Sequence, residues 1–417
     1  MNIKLLLTII IALLMTGCTG LLIPDKEGWK YSQKNEFLEI LKTDKYMSIC
    51  NQRALYNKVR ATRDSKLMTK MLVAYAYNLA NSCIDLQSFE ASQRAKKERK
   101  IETYFATNQD KIDAFLIQRK LRAGQSIEDI LQPYVPTTPQ FNALIKRYKA
   151  LKASKKLSED KLLKIRINIE RAKLMTRDIG KNYALINIPE FKIRIIEEGN
   201  TTLSFPVIVG QRDMQTPIFS EQLKYVEINP QWNVPDSIMR KTYIPKIKAN
   251  PGWVKAQGME LHKDSYDLRS PKVNPASVDW SKYPKDEKGY IPYKLVQIPS
   301  KKNGLGRVKF IFPNRHAVYM HDTQSKSLFA RKSRCFSHGC IRLAKPKKLL
   351  DHITTKYSTK RIPTVMKWYN SLKTKHLLLN KALQVHTVYF TAYVDEFNKL
   401  RLYPDVYGFD KSQKLNF

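Results

Sequence analysis

The chain has 417 residues and a mass of 48.6 kDa, a size for two or three domains. Hydrophobic residues (43%) and aromatics (10%) suffice for a buried core and exclude general disorder, while five cysteines exclude a disulfide-stapled mini-scaffold. Against 37 Asp+Glu stand 74 Lys+Arg, a formal charge of +37, which calls for an anionic partner: nucleic acid, an acidic membrane face or an acidic polymer. No fixed-period repeat suggests a solenoid.

The N-terminus reads as an export signal. One cation at Lys4 precedes the apolar run Leu5–Met15, broken only by Thr8, and then Met15-Thr16-Gly17-Cys18. Those four residues resemble a bacterial lipobox, which makes residues 1–17 a signal peptide, Cys18 the lipidated first residue and 18–29 a linker. The alternative is an uncleaved anchor over Leu5–Ile23, about 28 Å long as a helix. Both readings place the remainder outside the cytoplasm, as a periplasmic, membrane-anchored protein. Thr19 rather than Asp after the Cys favours the outer membrane over the inner. DNA is absent there, so the charge points to an anionic cell wall and not to nucleic acid.

Residues 30–177 read as an all-α scaffold domain. Ser126 with Asp129 three residues on approaches a capping box, and Thr138-Pro139 places Pro at a first helical position. Phe141, Leu144, Ile145, Tyr148 and Leu151, then Leu162, Ile165, Ile169 and Ala172, keep helical spacing. Gly180 is the expected helix stop. From Tyr183 the period becomes that of strands. Phe191, Ile193 and Ile195 alternate with Lys192 and Arg194, and Gly199-Asn200 divides them from Leu203, Phe205 and Val207, a hairpin. The β-rich domain is expected over 178–417, giving an α+β chain. Its Pro-rich stretch, about 236–300, reads as a long insertion with helix around Ser237–Ala249, of the kind that caps a site. Strands return at Arg307–Phe312, Val318–Met320 and Val385–Val394. The last of these is expected to complete the sheet and to bring the C-terminus into this domain.

One constellation carries chemistry: His321-Asp322-Thr323 and Ser337-His338-Gly339-Cys340-Ile341-Arg342. A nucleophilic Cys needs a base or cation nearby, and His321 and His338 are candidates. Gly339 permits a turn that aims backbone N–H groups at one point, as an oxyanion hole requires. Arg342 suits a substrate carboxylate. Residues 301–350 hold 13 Lys+Arg and one acid, Asp322, which would favour thiolate and draw in acidic substrates if they surround the site. Two other readings stay open on chemistry alone. Cys340 is a structural residue of an apolar turn, or Cys335, Cys340, His338 and His321 bind zinc, although Cys-x4-Cys and His-x-Cys fit metal knuckles poorly.

The Ser-His-Gly-Cys run with a following Arg, and a His nineteen residues before the Cys, resembles the signature of the L,D-transpeptidases with a YkuD-type catalytic domain. Ile208-Val209-Gly210, Thr216-Pro217-Ile218-Phe219-Ser220, Asn229-Pro230-Gln231-Trp232-Asn233-Val234-Pro235, Gly304–Arg315 and Met320–Cys340 are similar to the subtype with a helical scaffold and a capping insertion. The resemblance spans about residues 120–410. A peptidoglycan-binding domain common in that subtype has no room between Leu151 and Lys161. Wall affinity would then come from the basic segment 141–177, with 12 Lys+Arg and 3 acids, unless that segment is an ordinary solvated helix face.

The resemblance implies a cysteine acyltransferase without cofactor or metal. Cys340 attacks the diamino acid carbonyl of a tetrapeptide stem, D-Ala leaves, and a second stem's amine resolves the thioester into a 3→3 cross-link. His321 shuttles the proton, oriented by the backbone carbonyl of Asp322. The N–H groups of Gly339 and Cys340 meet the oxyanion, and His338 shapes the turn or donates a hydrogen bond. Tyr319, Trp232, Asn233, Ser337 and Arg342 touch substrate. Carbapenems are expected to acylate Cys340. The same thioester attacked by water gives an L,D-carboxypeptidase, and attacked by a protein Lys it tethers a lipoprotein to the wall. An inert Cys would leave a wall-binding protein. His262, His316, His352, His376 and His386 are read as structural or surface residues. Cys50 and Cys83 are expected to form a disulfide in the exported helical domain. Cys335 is either a packed apolar residue or a resolving thiol for Cys340.

Overall fold

The computed structural model describes residues 25–95, 110–285 and 289–415. The leader and Cys18 lie outside the described residues, among which no helix is long and apolar enough to cross a membrane. The chain divides into two compact units. One runs to Ile179 and resumes at Tyr389, and the other is Gly180–Val388.

The first unit contains helices α1 (Tyr31–Thr43), α2 (Arg53–Thr62), α3 (Ser65–Asn81), α4 (Leu86–Ala95), α5 (Ala114–Arg122), α6 (Ile127–Leu131), α7 (Pro139–Ser154) and α8 (Glu159–Lys173). Short polar side chains start several of them. Asp64 accepts from Leu67 N at 2.8 Å ahead of α3, and Ser126 Oγ accepts from Asp129 N at 3.0 Å ahead of α6. Phe37, Leu72, Tyr75, Phe141, Leu144, Ile165 and Ile169 are all fully buried, and Phe37 stands edge-on to Tyr75. Gly180 is not the helix stop. The helix α8 ends at Lys173, where Leu174 N–H donates back to Arg171 O at 3.2 Å and tightens the last turn.

The basic segment 141–177 turns some of its strongest charges inward. Arg166, Arg171 and Lys173 on α8 are buried. Glu170, also fully buried, pairs with Arg166 and accepts from Lys173 Nζ at 3.0 Å. Its second oxygen accepts from Cys83 N at 2.6 Å and Ser82 Oγ at 3.1 Å. Lys173 Nζ also donates to Met47 O at 2.8 Å. Burial is the largest influence on Lys173 and lowers it to about 8. These cations hold the scaffold together and are not available to a wall polymer. Beside them, Cys50 and Cys83 are joined in the expected disulfide, with Cα atoms 5.9 Å apart.

In the second unit, β1 (Asn182–Asn187), β2 (Lys192–Glu197) and β3 (Asn200–Gly210) run antiparallel in succession, with the hairpin where Gly199-Asn200 indicated. The other strands are β4 (Phe219–Gln222), β5 (Tyr225–Ile228), β6 (Trp232–Asn233), β7 (Met259–Lys263), β8 (Tyr293–Gln297), β9 (Val308–Ile311), β10 (Met320–His321), β11 (Cys335–Ser337), β12 (Ile341–Leu343), β13 (Lys375–Leu378) and β14 (Gln384–Val388). The main sheet has the order β13-β5-β9-β10-β12-β3-β2-β1-β14-β4, and β11 also pairs with β3. The capping insertion has a core of its own. Val234, Met239, Ile244, Ile247, Leu261, Trp280 and Leu295 cluster there, over the sheet β6-β8-β7. Helical turns do cover Asp236–Ala249, as expected, and β7 and β8 were not anticipated.

The C-terminal segment departs from expectation. Val385 belongs to β14 in the main sheet, but Tyr389 onward packs with the helical unit, so the β-rich domain does not extend from 178 to 417. The strand β15 (Ala392–Val394) pairs with β16 (Leu400–Leu402). Buried polar groups on the helices hold this segment. Asn168 exchanges two hydrogen bonds with Thr391, at 2.8 and 2.9 Å, and Gln140 exchanges two with Val394, at 2.8 and 2.9 Å. Arg171 reaches Asp410 at 2.8 Å and Gln413 at 2.8 Å. Phe409 stands edge-on to Phe89 at 5.2 Å. Leaving Asn168 and Arg171 buried without these partners would cost about 1–3 kcal/mol per group, which is why the segment docks there.

Candidate active site

A cleft of about 860 Å³ in the second unit collects most of the candidate residues: Trp232, Asn233, Tyr319, His321, Ser337, His338, Cys340 and Arg342. The sheet register explains how. The strand β10 lies between β9 and β12, with His321 opposite Lys309 on one side and Arg342 on the other. Lys309 is opposite Glu227 of β5, which is opposite His376 of β13. Paired residues share a face, so His376, Glu227, Lys309, His321 and Arg342 form one row across the cleft floor.

Cys340 precedes β12, where Ile341 N donates to Tyr319 O at 3.0 Å. The turn before it is built for that position. Gly339 has φ +112°, a conformation that side-chain-bearing residues rarely adopt. Ser337 Oγ donates to Cys340 O at 2.5 Å and accepts from Gly339 N at 3.2 Å. Thr216 Oγ1 donates to Gly339 O at 2.8 Å and accepts from Gly210 N at 2.8 Å, which gives the Ile-Val-Gly and Thr-Pro motifs their role. Two expectations change here. Gly339 N–H is engaged by Ser337 and does not face an oxyanion, whereas Cys340 N–H has no partner among the described residues. Ser337 is buried and its hydroxyl is used inside the turn rather than offered to substrate.

His321 Nδ1–H donates to the backbone carbonyl of Asp322, leaving Nε2 as the lone-pair nitrogen. The Asp322 carboxylate turns away and accepts from Thr323 N at 2.7 Å and Arg307 N at 3.0 Å. Gly306 makes room for it: a Cβ there would lie 2.3 Å from Asp322 Cγ. Burial, then the charges of Arg342 and Lys309, push His321 down to about 3. Burial also raises the Cys340 thiol, against the opposing pull of Tyr319, Lys309 and Arg342. The expected thiolate is therefore not the resting state. Only two of the thirteen cations in 301–350, Lys309 and Arg342, line the cleft, and burial outweighs them. Cys340 and His321 rest as thiol and neutral imidazole.

The Arg342 side chain makes no hydrogen bond or ion pair with any described residue, so its guanidinium is open to an anion. Tyr319 stands 5.6 Å from His321, ring to ring, with Lys309 Nζ 4.4 Å from its centroid. The insertion contributes Tyr243, whose ring lies 6.0 Å from that of Trp232 on β6 just before it. His316, packed on Phe219 with ring centroids 5.6 Å apart, and the exposed His376 also line the cleft. His262, His352 and His386 serve structure, bonded to Ser270 O, Glu197 and Ser220. Cys335 is a free thiol on β11, half-buried. Among the described residues no three of His, Cys, Asp and Glu converge in a metal-binding group, so Cys335, Cys340, His338 and His321 do not form one.

Residues 181–365 match the family model YkuD, the L,D-transpeptidase catalytic domain. That match lies within the second unit. A Haemophilus influenzae protein named "Putative L,D-transpeptidase" is 32% identical over 236 residues, 56% of this chain and 46% of that protein. The chain thus matches about half the length of that relative. Two solved structures are similar at 12% identity. The Ldtfm–avibactam carbamoyl enzyme aligns over 41% of this chain and 44% of its own, with a TM-score of 0.21. An L,D-transpeptidase from Mycobacterium smegmatis aligns over 49% and 58%, with a TM-score of 0.23. The YkuD match covers Cys340, His321 and Arg342, and also the whole insertion.

Proposed function

We propose that the chain is an exported, lipid-anchored L,D-transpeptidase that makes 3→3 cross-links between peptidoglycan stems through a thioester on Cys340. The observation that carries this reading is one cleft holding Cys340, a His321 whose Nε2 is free to take a proton, and an unpaired Arg342. His321 Nε2 removes the thiol proton as Sγ bonds to the carbonyl carbon of the diamino acid in a donor tetrapeptide. Cys340 N–H meets the oxyanion, an interaction worth ~3 kcal/mol in comparable sites. The intermediate collapses, the C–N bond to D-Ala breaks, and the imidazolium returns its proton to the leaving amine. The acceptor stem's amine then attacks the thioester. His321 takes its proton and gives it to the departing sulfur, restoring the thiol.

Neutral resting groups suit this sequence, because a charged pair would have to be desolvated when substrate fills the cleft. Arg342 holds a stem carboxylate, and Trp232, Asn233 and Tyr319 line its path. Export through the leader and lipidation at Cys18 place the enzyme at the wall. Incubation with tetrapeptide-rich wall followed by muropeptide analysis tests the reading. Cross-linked dimers are expected. Bare tripeptides would mean a carboxypeptidase, lipoprotein-modified tripeptides a tethering enzyme, and an unchanged wall would refute the reading.

A further inference from the structure

The cleft row contains a pair that the acyl-transfer steps leave unused. Glu227 on β5 and Lys309 on β9 are register partners, with their charged ends 3.6 Å apart and side chains 14% and 19% exposed. Glu227 is the one acid among the described residues lining a cleft otherwise furnished with Lys309, Arg342 and four histidines. Neither of its carboxylate oxygens accepts a hydrogen bond from any described residue. A carboxylate on the cleft floor that takes no hydrogen bond from a described residue keeps its acceptor capacity for a ligand. At 3.6 Å the pair is also too wide to satisfy itself, since a charge-assisted bond closes to about 2.7–2.9 Å. Both heads are left with unused bonding capacity, and both face the cleft.

We infer that Glu227 and Lys309 form a receptor for a zwitterionic amino-acid head group, the ammonium on Glu227 and the carboxylate on Lys309. This rests on the transpeptidase reading and adds the donor's specificity to it. In such a head the nitrogen and the carboxyl carbon are about 2.5 Å apart. Laid against the pair with opposite polarity, it matches a 3.6 Å separation of counter-charges. The strands place the pair correctly. Lys309 neighbours His321, and Glu227 is two strands away, about 10 Å. A diamino acid whose one carbonyl meets Cys340 would extend its far end along this row. That far end carries both an amine and a carboxylate only in a diamino dicarboxylic acid. A lysine offers the ammonium alone, and an amidated head loses the negative charge. The attacking amine of the acceptor cannot be the group held here, because an ammonium clamped on a carboxylate is no nucleophile, so the pair reads the donor stem.

The test separates binding from chemistry. In the Cys340→Ala background, calorimetry would measure the affinity of stem tetrapeptides whose third residue ends in a zwitterionic head, in its amide, or in an amine alone. The zwitterionic form should bind at least tenfold tighter than the other two. Adding Glu227→Gln should erase that preference over the amide and weaken the amine-only stem as well. Adding Lys309→Met should weaken the zwitterionic stem and leave the amine-only stem within about twofold. In the active enzyme, Glu227→Gln should raise KM for the zwitterionic donor with kcat little changed and with an unaltered melting temperature. Equal affinity of the Cys340→Ala protein for all three stems, or a preference that survives Glu227→Gln, would overturn the inference. Because these titrations need no turnover, a protein that binds as expected but makes no cross-links would sink the transpeptidase reading alone.

Discussion

Glu170→Gln should be among the most damaging single-atom changes in the helical unit. The native carboxylate accepts from four groups: Arg166, Lys173 at 3.0 Å, Cys83 N at 2.6 Å and Ser82 Oγ at 3.1 Å. A glutamine amide fits in neither orientation, since its NH2 must face two cations or else two N–H and O–H donors. Breaking a buried ion pair costs about 3–5 kcal/mol, because the remaining charges stay uncompensated. For a unit of about 200 residues, each kcal/mol lowers Tm by about 2–4 °C, so the expected fall is about 6–20 °C. Burial alone would raise the Glu170 carboxyl, but Arg166, Lys173 and the Cys83 N–H outweigh it and hold it below the usual range. A carboxyl depressed by folding stabilises above its unfolded value and loses that contribution as pH falls through its folded one. The gap between wild type and variant should therefore be full above about pH 4.3 and shrink at lower pH. The assay is calorimetric melting at pH 7 and at pH 3, with Glu170→Gln/Lys173→Met as companion. That double variant should recover part of the loss by removing one stranded cation. A fall below about 2 °C at pH 7 would refute the account of this cluster.

Cys340→Ala should lower cross-linking by at least about 1,000-fold with folding intact, and intact mass should show a carbapenem adduct on wild type that the variant lacks. With His321 at about 3 and the Cys340 thiol raised, neither group changes charge between pH 5 and 8. Iodoacetamide labelling of Cys340 should therefore rise about tenfold per pH unit past pH 8.5, and a plateau below pH 7 would reveal a thiolate–imidazolium pair instead. Gly339→Ala meets nothing closer than 3.6 Å, so its effect is backbone strain at φ +112°, about 1–3 kcal/mol. It should slow cross-linking more than it lowers Tm, and equal Tm and rate would mean that the turn tolerates a side chain.

Local signals were legible in the sequence. The Ser126 cap, the Pro139 start, the α8 periodicity and the Gly199-Asn200 hairpin all rest on residues within a few positions of one another. The Cys340–His321–Arg342 cluster was legible because a parallel pair of short strands draws on two nearby motifs. Glu227, Lys309 and His376 were not. They reach the cleft through register between β5, β9 and β13, strands far apart in sequence, and each alone looks like a surface residue. The thiol's resting state was misjudged for a related reason. Counting cations along the chain does not say which ones face the site, and it carries no term for burial. The inward charges of α8 misled in the same way, since a basic helix face and a buried ion-pair network have the same composition.

The return of Tyr389–Leu415 to the helical unit has a consequence for the order of folding. The catalytic unit is one continuous stretch, so it can fold as soon as it is synthesised. The helical unit is split around it, and Asn168 and Arg171 of α8 lack their distant partners until Thr391, Asp410 and Gln413 emerge. Joining its two parts as free chain would mean closing a loop of more than 200 residues, an entropy of about 5 kcal/mol. Once folded, the catalytic unit removes most of that cost. Its first and last strands, β1 and β14, pair in parallel, so its ends lie within about 20 Å of each other. The continuous unit thereby acts as a clasp, and the scaffold it interrupts is completed at lower cost once that unit has formed.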